Sequence, residues 1–235
     1  MTEKALVLFS GGQDSTTCLV WALEKYDYVE TIGFDYGQRH SIEMECRLRT
    51  LSELKQRFPS WTKRLGKDQV INLGFISEIS ETALTSDTEI KMLGNGLPST
   101  FIPGRNLFFL SVSAAVAYRA GIDALVGGMC ETDYSGYPDC RDEFVKSAQM
   151  TIQKAMDSEL IVETPLMWLD KAQTWELSDE LGGQSLVELI VEETHTCYRG
   201  DRSVRHEWGY GCDDCFACEI RAKGWRSYHS SKVST

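Results

Sequence analysis

Short apolar runs alternate with segments of helical periodicity along most of the chain. Each apolar run has the length and aliphatic content of a buried strand, and polar or glycine-containing residues follow it. Because strands that alternate with helices form parallel sheets covered on both faces, the pattern predicts a Rossmann-like α/β fold. Five strands are expected, at residues 5–9, 31–34, 69–73, 124–128 and 160–163.

Helices are predicted at residues 15–25, 41–58 and 106–120. The third is strongly apolar and is expected to be buried, whereas the second has one apolar stripe with charges elsewhere. The stripe consists of Ile42, Cys46, Leu48, Leu51, Leu54 and Phe58. Core positions are also expected for Phe108, Phe109, Trp168 and Trp175.

Residues 74–103 contain glycines and prolines and show little periodicity. Loops of this length inside a compact domain are usually lids or binding elements. We expect this stretch to close over the reactants and to exclude water.

The length, apolar content and charge of the chain limit the kinds of protein it can be. With 235 residues, 42% of them hydrophobic, the chain can fill one α/β domain, expected at 1–193, plus a small C-terminal element at 194–235. No apolar run approaches the ~18 residues that span a bilayer and no leader precedes the first strand, so a cytoplasmic protein without membrane contact is expected. A net charge of -11 disfavours nucleic acid as a partner, because such binding depends on many Lys and Arg contacts to phosphate.

The first strand runs directly into the sequence FSGGQDSTT at residues 9–17. Gly11 and Gly12 permit backbone angles at which peptide N–H groups converge on an anion, and the helix start adds its free N–H groups and the positive end of its dipole. Asp14 can hold a magnesium ion. Four hydroxyl groups can donate to phosphate oxygens, those of Ser10, Ser15, Thr16 and Thr17.

This glycine loop lacks the Lys of the G-x-x-x-x-G-K-[ST] motif and does not fit G-x-G-x-x-G. It resembles the SGGxDS loop of ATP pyrophosphatases, which cut ATP between its first two phosphates and leave AMP on a substrate oxygen. The resemblance implies ATP and Mg²⁺ as reactant and cofactor. It also implies that nucleotide is bound by Phe9, Ser10, Gly11, Gly12, Gln13, Asp14, Ser15, Thr16, Thr17, Cys18 and Leu19.

Four of the eight cysteines cluster near the C-terminus, at Cys197, Cys212, Cys215 and Cys218. Glycine-rich turns can bring four thiolates together, and such a set suits a closed, structural, tetrahedral zinc site. An iron–sulfur cluster and unliganded thiols are the alternatives. His195 and His206 flank the cluster, but four cysteines already suffice, so each is expected at the surface or beside the ligands.

Ligands of open parallel sheets bind beyond the carboxyl ends of the strands, and distinctive motifs follow the strands here. Tyr134 and Tyr137 can stack on a purine-like ring, and Asp133 or Asp139 can accept hydrogen bonds from guanine-type N–H groups. The same run is also rich in residues that are common in ordinary turns.

His40 can move a proton from ammonium or can simply begin a helix. Cations that can hold a carboxylate or phosphates, or form surface ion pairs instead, are Arg39, Arg105, Arg141 and Lys171.

Taken together, these motifs resemble the 7-cyano-7-deazaguanine synthase family, in order and across nearly the whole chain. They are FSGGQDSTTCL, DYGQRH, FIPGRN, CETDYSGYPDCRDEF, TPLMWLDKA and the C-terminal cysteines. The resemblance implies an adenine nucleotide alpha hydrolase-like fold with a C-terminal zinc element, and a homodimer. It implies ATP-dependent conversion of 7-carboxy-7-deazaguanine and ammonia into the 7-cyano product, through adenylated carboxylate and amide intermediates.

The resemblance also implies roles for individual residues. The catalytic set is Asp14, Ser15, Arg105 and Lys171. The substrate-binding set is Arg39, His40, Arg105, Asp133, Tyr134, Ser135, Tyr137, Asp139 and Arg141. The zinc ligands are the four clustered cysteines. One departure is the spacer of fourteen residues between the first two zinc cysteines, which is longer than usual in the family, and residues 202–208 are expected to loop out without altering ligation.

Three other functions fit parts of the sequence. A tRNA-directed sulfur transferase with the same loop would need a basic RNA-binding face, which the net charge of -11 argues against. A different adenylating amide ligase would lack the DYSGYPDCR run. A non-catalytic nucleotide-binding module would retain ATP without releasing pyrophosphate.

Two further cysteines lie close to the motifs of the site. Cys130 and Cys140 are each either a covalent nucleophile or a small side chain that fills the apolar core, and filling is the more common use of a free thiol.

Overall fold

A computed structural model describes residues 3–38, 42–79, 82, 94, 97–132 and 137–233. Its strands are β1 (Lys4–Leu8), β2 (Tyr28–Asp35), β3 (Leu65–Asn72), β4 (Ala124–Val126), β5 (Ile161–Glu163), β6 (Arg205–His206) and β7 (Gly209–Tyr210). Its helices are α1 (Gln13–Lys25), α2 (Ile42–Arg57), α3 (Pro59–Thr62), α4 (Phe75–Ile79), α5 (Arg105–Ala120), α6 (Asp142–Met156), α7 (Lys171–Glu193) and α8 (Phe216–Val233), and a 3₁₀ turn spans Pro138–Cys140.

The first five strands form one parallel sheet in the order β3-β2-β1-β4-β5. The chain order reverses between β1 and β4, which is the position where open α/β sheets bind ligands. Side chains of a strand alternate between the two faces, so Ala5 and Val7 pack into one apolar core while Leu6 packs into the other. The predicted parallel sheet with helices on both faces is therefore confirmed.

Helix α7 is interrupted at Gly183, whose backbone angles of φ 64° and ψ -166° are not helical. That region of backbone space is essentially restricted to glycine. Asp170 caps the start of the helix, because its side chain accepts from the N–H of Gln173 while the Gln173 side chain accepts from the N–H of Asp170. The helix thus has a well-defined start and a corner in its middle.

The C-terminal segment packs directly on the sheet domain. Helix α8 lies against α7, where the rings of Trp175 and Trp225 meet edge to face at 4.9 Å. Residues on both sides of position 193 share one apolar core. None of the helices in the described ranges has the length and apolar character needed to cross a membrane.

Several expectations about burial were wrong. Leu48 is 62% exposed, and its neighbour Arg47 is fully buried instead, because the guanidinium is paired with Asp68 on β3. Trp168 is 62% exposed, whereas Trp175 is buried as expected. The apolar helix α5 also has an exposed face, which includes Leu107 and Tyr118.

The long stretch predicted as a lid begins with a short helix, α4, that the sequence pattern did not indicate. Residues 80, 81, 83–93, 95 and 96 lie outside the described residues. The function assigned to this stretch therefore stays a prediction.

Candidate functional site

A cavity of about 320 Å³ opens at the carboxyl ends of β1, β2 and β4. The glycine loop after β1 forms one side, and the starts of α2, α5 and α7 form the others. Its lining includes Ser10, Gly12, Asp14, Ser15, Phe34, Tyr36, Glu43, Arg105, Phe109, Cys140, Lys171, His195, Thr196 and Tyr198. The cavity lies where the sheet topology predicts a ligand site.

The glycine loop is held in place by packing against α2. Gly11 has a left-handed backbone with φ 88°, and a Cβ atom there would lie 2.7 Å from the backbone of Arg47. The Arg47 Nε donates to the carbonyl oxygen of Phe9 at 2.9 Å. Only a residue without a side chain fits at position 11, and this close approach fixes the path of the loop.

Helix α1 begins in this loop without a side-chain cap. Gly12 is the N-cap residue and has no side chain with which to accept hydrogen bonds from the N–H groups of the first turn. Ser15 Oγ accepts from the N–H of Gly11 and lies 3.1 Å from Ser10 Oγ. An uncapped helix start provides free donors and a positive dipole end for an anion such as a phosphate group.

Only part of the predicted nucleotide-binding segment lines the cavity. Phe9, Ser10, Gly12, Gln13, Asp14 and Ser15 do so, whereas Gly11, Thr16, Thr17, Cys18 and Leu19 do not. The hydroxyl of Thr16 donates to the carbonyl of Gly12 at 2.8 Å, and that of Thr17 donates to Gln13 and contacts Ser178 at 2.8 Å. The expectation that these two hydroxyls donate to phosphate is not what the geometry shows, because both close bonds within the protein.

Gln13 is the polar side chain that the loop leaves unsatisfied. It is 2% exposed and lines the cavity, yet neither atom of its amide has a hydrogen-bond partner among the described residues. Buried polar groups are normally paired. An amide of this kind fits a site that a polar ligand completes.

Asp14 and Lys171 form an ion pair at the cavity wall. The Lys171 Nζ donates to both carboxylate oxygens of Asp14, each at 2.8 Å. The lysine comes from the first residue of α7, 157 positions after the aspartate. A cation therefore reaches the glycine loop from a distant helix, although the loop contains no lysine of its own.

Arg105, the first residue of α5, lines the cavity next to aromatic residues. Its guanidinium is 6.0 Å from the ring centroid of Phe109 and 5.8 Å from that of Tyr137. Burial raises the pKa of the neighbouring Tyr36 to about 12, which Arg105 partly opposes. Tyr36 is thus a neutral hydroxyl beside a fixed positive charge.

Glu43, a half-buried carboxylate of the first turn of α2, also lines the cavity, although the sequence motifs did not indicate it. Burial raises the pKa of Glu43, and the charge of Arg105 acts in the opposite direction. Its one sequence signal is its position three residues after the DYGQRH motif.

The predicted substrate-reading segment is arranged differently from expectation. The Asp139 carboxylate accepts from the N–H of Asn106 at 2.9 Å, and the Asn106 side chain donates to the Asp139 carbonyl at 3.0 Å. Tyr137 contacts the Thr100 hydroxyl at 2.5 Å. Arg141 is exposed. None of Tyr137, Asp139 and Arg141 lines the cavity in this structure.

Five residues predicted to bind substrate lie outside the described residues: Arg39, His40, Asp133, Tyr134 and Ser135. Their assignment stays a prediction.

The four clustered cysteines do meet. The Sγ atoms of Cys197, Cys212, Cys215 and Cys218 all lie within 4.8 Å of one another, and those of Cys197 and Cys215 are 4.0 Å apart. Tetrahedral zinc with Zn–S bonds of ~2.3 Å places its sulfurs about 3.8 Å apart, so the set fits such an ion. Hydrogen bonds within the metal-free set lower the pKa of Cys197 and raise the pKa of Cys215 and Cys218, so one thiolate is shared among these thiols, and a metal would require the others to lose their protons as it binds.

The spacer between the first two cysteines does not loop out as expected. Its residues form the β6–β7 hairpin, which folds back on the end of α7 through an ion pair between Arg205 and Glu192. The buried Arg221 of α8 donates to the carbonyl of Trp208 at 2.9 Å. The extra length is therefore part of the packed structure around the cluster.

His195 lies between the cysteine cluster and the glycine loop, and of the two expected positions it takes the one beside the ligands, where it is buried. Its backbone N–H donates to the Gly11 carbonyl at 3.3 Å, and its Nε2 is 3.2 Å from the Cys197 carbonyl. Burial lowers the pKa of His195 to about 4. Together with Thr196 and Tyr198 it forms the cavity wall next to the loop, so the cysteine-bearing segment contributes directly to the site.

Comparison with known proteins matches residues 4–229 to the family described as queuosine biosynthesis protein QueC. A curated relative from Bordetella pertussis (strain Tohama I), 7-cyano-7-deazaguanine synthase, is 60% identical over 226 residues, which cover 96% of this chain and 93% of the relative. A synthase of the same name from Burkholderia cenocepacia (strain HI2424) is 59% identical over 226 residues, with coverage of 96% and 93%.

Among solved structures, a 4-thiouridine synthetase in complex with RNA and bound ATP aligns with a TM-score of 0.50 and 17% sequence identity. The alignment covers 98% of this chain and 52% of that protein. At this identity the likeness establishes a shared fold.

Proposed function

Because the chain belongs to the QueC family of queuosine biosynthesis proteins, we infer that it is a 7-cyano-7-deazaguanine synthase. The reaction converts 7-carboxy-7-deazaguanine and ammonia into the 7-cyano compound at the expense of ATP. The observation that carries this inference is a single cavity with two distinct sides. One side is an uncapped helix start with an Asp14–Lys171 pair, and the other has aromatic rings, a carboxylate and Arg105.

The chemistry requires activation of a carboxylate, whose oxygen is otherwise a very poor leaving group. Attack of the substrate carboxylate oxygen on the α-phosphorus of ATP releases pyrophosphate and forms an acyl-adenylate. Ammonia then displaces AMP, which carries away that oxygen, and the primary amide results. A second adenylation on the amide oxygen lets a second AMP leave with the remaining oxygen, and loss of the amide protons gives the nitrile.

Within this scheme the glycine loop holds the phosphates. The free N–H groups of the α1 start and the hydroxyl of Ser10 would donate to phosphate oxygens as negative charge builds up on the leaving pyrophosphate. The hydroxyl of Ser15 donates to the Gly12 carbonyl at 3.2 Å in this structure and would turn away from it to join them. Lys171 would add a positive charge while remaining paired with Asp14. Asp14 would hold Mg²⁺, which supplies further stabilisation of the phosphate charge when bound.

Arg105, which also lines the cavity, would hold the substrate carboxylate until it attacks. Tyr137 and Asp139 would support this role indirectly, because they pack and bond near the start of α5. The assignments of Arg39, His40, Asp133, Tyr134, Ser135 and Arg141 to substrate binding remain part of the proposal.

Zinc is the proposed occupant of the four-cysteine cluster, where it would be structural because the four sulfurs fill a tetrahedral shell. We further propose that ammonia is the nitrogen donor, that the protein is a cytoplasmic homodimer, and that residues 194–235 act as a zinc-binding element on the 1–193 domain.

A pyrophosphate-release assay with 7-carboxy-7-deazaguanine, ammonium and Mg²⁺–ATP tests the proposal, with mass spectrometry to identify the product. We expect pyrophosphate release to depend on the carboxylate substrate and two AMP to form per nitrile. The matched control is 7-deazaguanine, which has no carboxylate to activate. Absence of substrate-dependent pyrophosphate would contradict the synthase function, and a product that stops at the amide would contradict only the second adenylation.

A further inference from the structure

The side of the cavity away from the glycine loop has the composition of a subsite for a planar base. The rings of Phe34 and Phe109 are stacked, with centroids 4.4 Å apart and planes 5° from parallel, and Tyr36 lies 5.6 Å from Phe109. All three residues line the cavity. Aromatic residues that line a cavity favour a flat, apolar ring as its occupant, and the polar groups around them then select by hydrogen bonding at the ring edge.

Two carboxylates line the cavity within the described residues, those of Asp14 and Glu43. Asp14 is held by Lys171 on the phosphate side, where it would also hold the metal ion. Asp139, which the sequence suggested as a reader of the base, has one carboxylate oxygen occupied by the Asn106 N–H and does not line the cavity. Glu43 is therefore the carboxylate on the aromatic side of the site.

We propose that Glu43 is a specificity-determining residue that accepts hydrogen bonds from the ring N–H and the exocyclic amine of the substrate's aminopyrimidinone edge. The proposal rests on the proposed function, since it names the residue that would recognise that substrate. A carboxylate has two oxygens that can accept from two adjacent N–H donors at once. No other ring edge of a 7-carboxy-7-deazaguanine presents two donors side by side in this way.

The surroundings of Glu43 make this recognition selective. The side chain is half-buried, and burial raises its pKa, so its charge is costly unless it receives hydrogen bonds. The positive charge of Arg105 on the same side of the cavity favours the ionised form. A substrate that lacks the exocyclic amine would leave one carboxylate oxygen desolvated and unpaired, and sites built in this way reject such analogues strongly.

Two other roles for a carboxylate in this position make different predictions. If Glu43 bound the adenine amine of ATP, its removal would weaken nucleotide binding. If it took a proton from ammonia, its removal would slow turnover of every carboxylate substrate equally. Recognition of the aminopyrimidinone edge instead changes the ratio of kcat/KM between substrates with and without the exocyclic amine.

The test compares Glu43→Gln and Glu43→Ala with wild-type protein on 7-carboxy-7-deazaguanine and on the same compound without its exocyclic amine. Glu45→Gln is the matched control, because Glu45 belongs to the same helical turn but is exposed and does not line the cavity. Binding of a non-hydrolysable ATP analogue is measured for each variant, with Tm and circular dichroism as checks on folding. Glu43→Gln preserves side-chain size, so it separates recognition from packing.

We expect wild-type protein and Glu45→Gln to prefer the amine-bearing substrate by about a hundredfold or more in kcat/KM. In both Glu43 variants that preference should fall at least tenfold, while the Kd of the ATP analogue changes less than twofold. An undiminished preference, or a loss confined to nucleotide binding, would overturn the proposal. So would an equal loss of kcat on both substrates. Failure of the wild-type protein to turn over either compound would instead contradict the proposed function.

Discussion

The Lys171 Nζ donates to both carboxylate oxygens of Asp14 at 2.8 Å, and this contact joins the start of α7 to the glycine loop. Loops of the G-x-x-x-x-G-K-[ST] type carry their phosphate-binding lysine within the loop itself. Here the cation is supplied by a helix that begins 157 residues later. The Asp14 carboxylate therefore orients the Lys171 ammonium group, and the lysine in turn restricts rotation of the aspartate side chain.

Removal of either member of this pair should impair adenylation far more than stability. We expect Asp14→Asn and Lys171→Met each to lower the rate of pyrophosphate release by about a hundredfold or more, as for other groups that stabilise transition-state charge. The exposed pair of Lys146 and Asp142 on α6 is the control, and Asp142→Asn should change that rate less than twofold. Loss of bound zinc or a collapse of Tm in Asp14→Asn would show that Asp14 is structural instead.

Substitution of Gly11 should damage both the loop and the nucleotide site. A non-glycine residue in the left-handed region costs ~1–2 kcal/mol, and a Cβ atom at Gly11 would also lie 2.7 Å from the Arg47 backbone. Gly121→Ala is a matched control, because its φ is 63° but no atom lies within 4 Å of the added Cβ. Both variants should lower Tm, by about 2–4 °C per kcal/mol. Only Gly11→Ala should weaken binding of an ATP analogue, by tenfold or more, and equal binding by the two variants would contradict this steric account.

Removal of metal from the cysteine cluster should weaken nucleotide binding as well as stability. The segment after α7 contacts the glycine loop through the His195 N–H and the Gly11 carbonyl, so disorder at the cluster would reach that loop. We expect Cys212→Ser, or treatment with a strong chelator, to remove about one zinc per chain and lower Tm by roughly 10 °C or more. Metal analysis, calorimetry and binding of an ATP analogue provide the three readouts. Undiminished analogue binding by metal-free protein that remains folded would show that the two sites are independent.

Cys140 should behave as an unreactive thiol, although it lines the cavity. Burial, followed by the charge of Asp139, raises its pKa to about 12, so near pH 7.5 fewer than about one in ten thousand of these thiols is ionised. Peptide mapping after iodoacetamide treatment should find Cys140 unmodified in folded protein and fully modified in urea. Cys140→Ser should retain zinc and lose no more than a few-fold in kcat. A covalent-nucleophile function would instead predict a loss of a hundredfold or more.

Those parts of the site whose geometry depends on neighbouring residues in the chain could be predicted from the sequence. The glycine loop combines a strand, two glycines and a helix start within nine residues, and three of the clustered cysteines lie within seven. Such arrangements depend little on the rest of the chain. The strand pattern likewise predicted the parallel sheet, because period-two and period-3.6 patterns determine which faces are buried.

The burial and orientation of a side chain could not be predicted in this way where they depend on partners far away in the sequence. Arg47 is buried because Asp68 on another strand pairs with it, so the helical pattern of α2 alone favoured its neighbour Leu48 for burial. Asp139 lies in a motif rich in polar groups, yet a 3₁₀ turn directs its carboxylate to Asn106. Glu43 carries no local signal that separates it from the exposed Glu45. Orientation at the site is thus decided by tertiary contacts.

The corner at Gly183 has a consequence for the order in which the protein can assemble during synthesis. A straight helix of 23 residues would be about 35 Å long, yet Lys171 at one end of α7 and His195 just past the other end line the same cavity. The corner therefore returns the chain to the glycine loop, which was synthesised much earlier. The wall formed by His195, Thr196 and Tyr198 is synthesised more than 180 positions after Gly11, so the cavity has no complete lining until that later segment has left the ribosome and folded back.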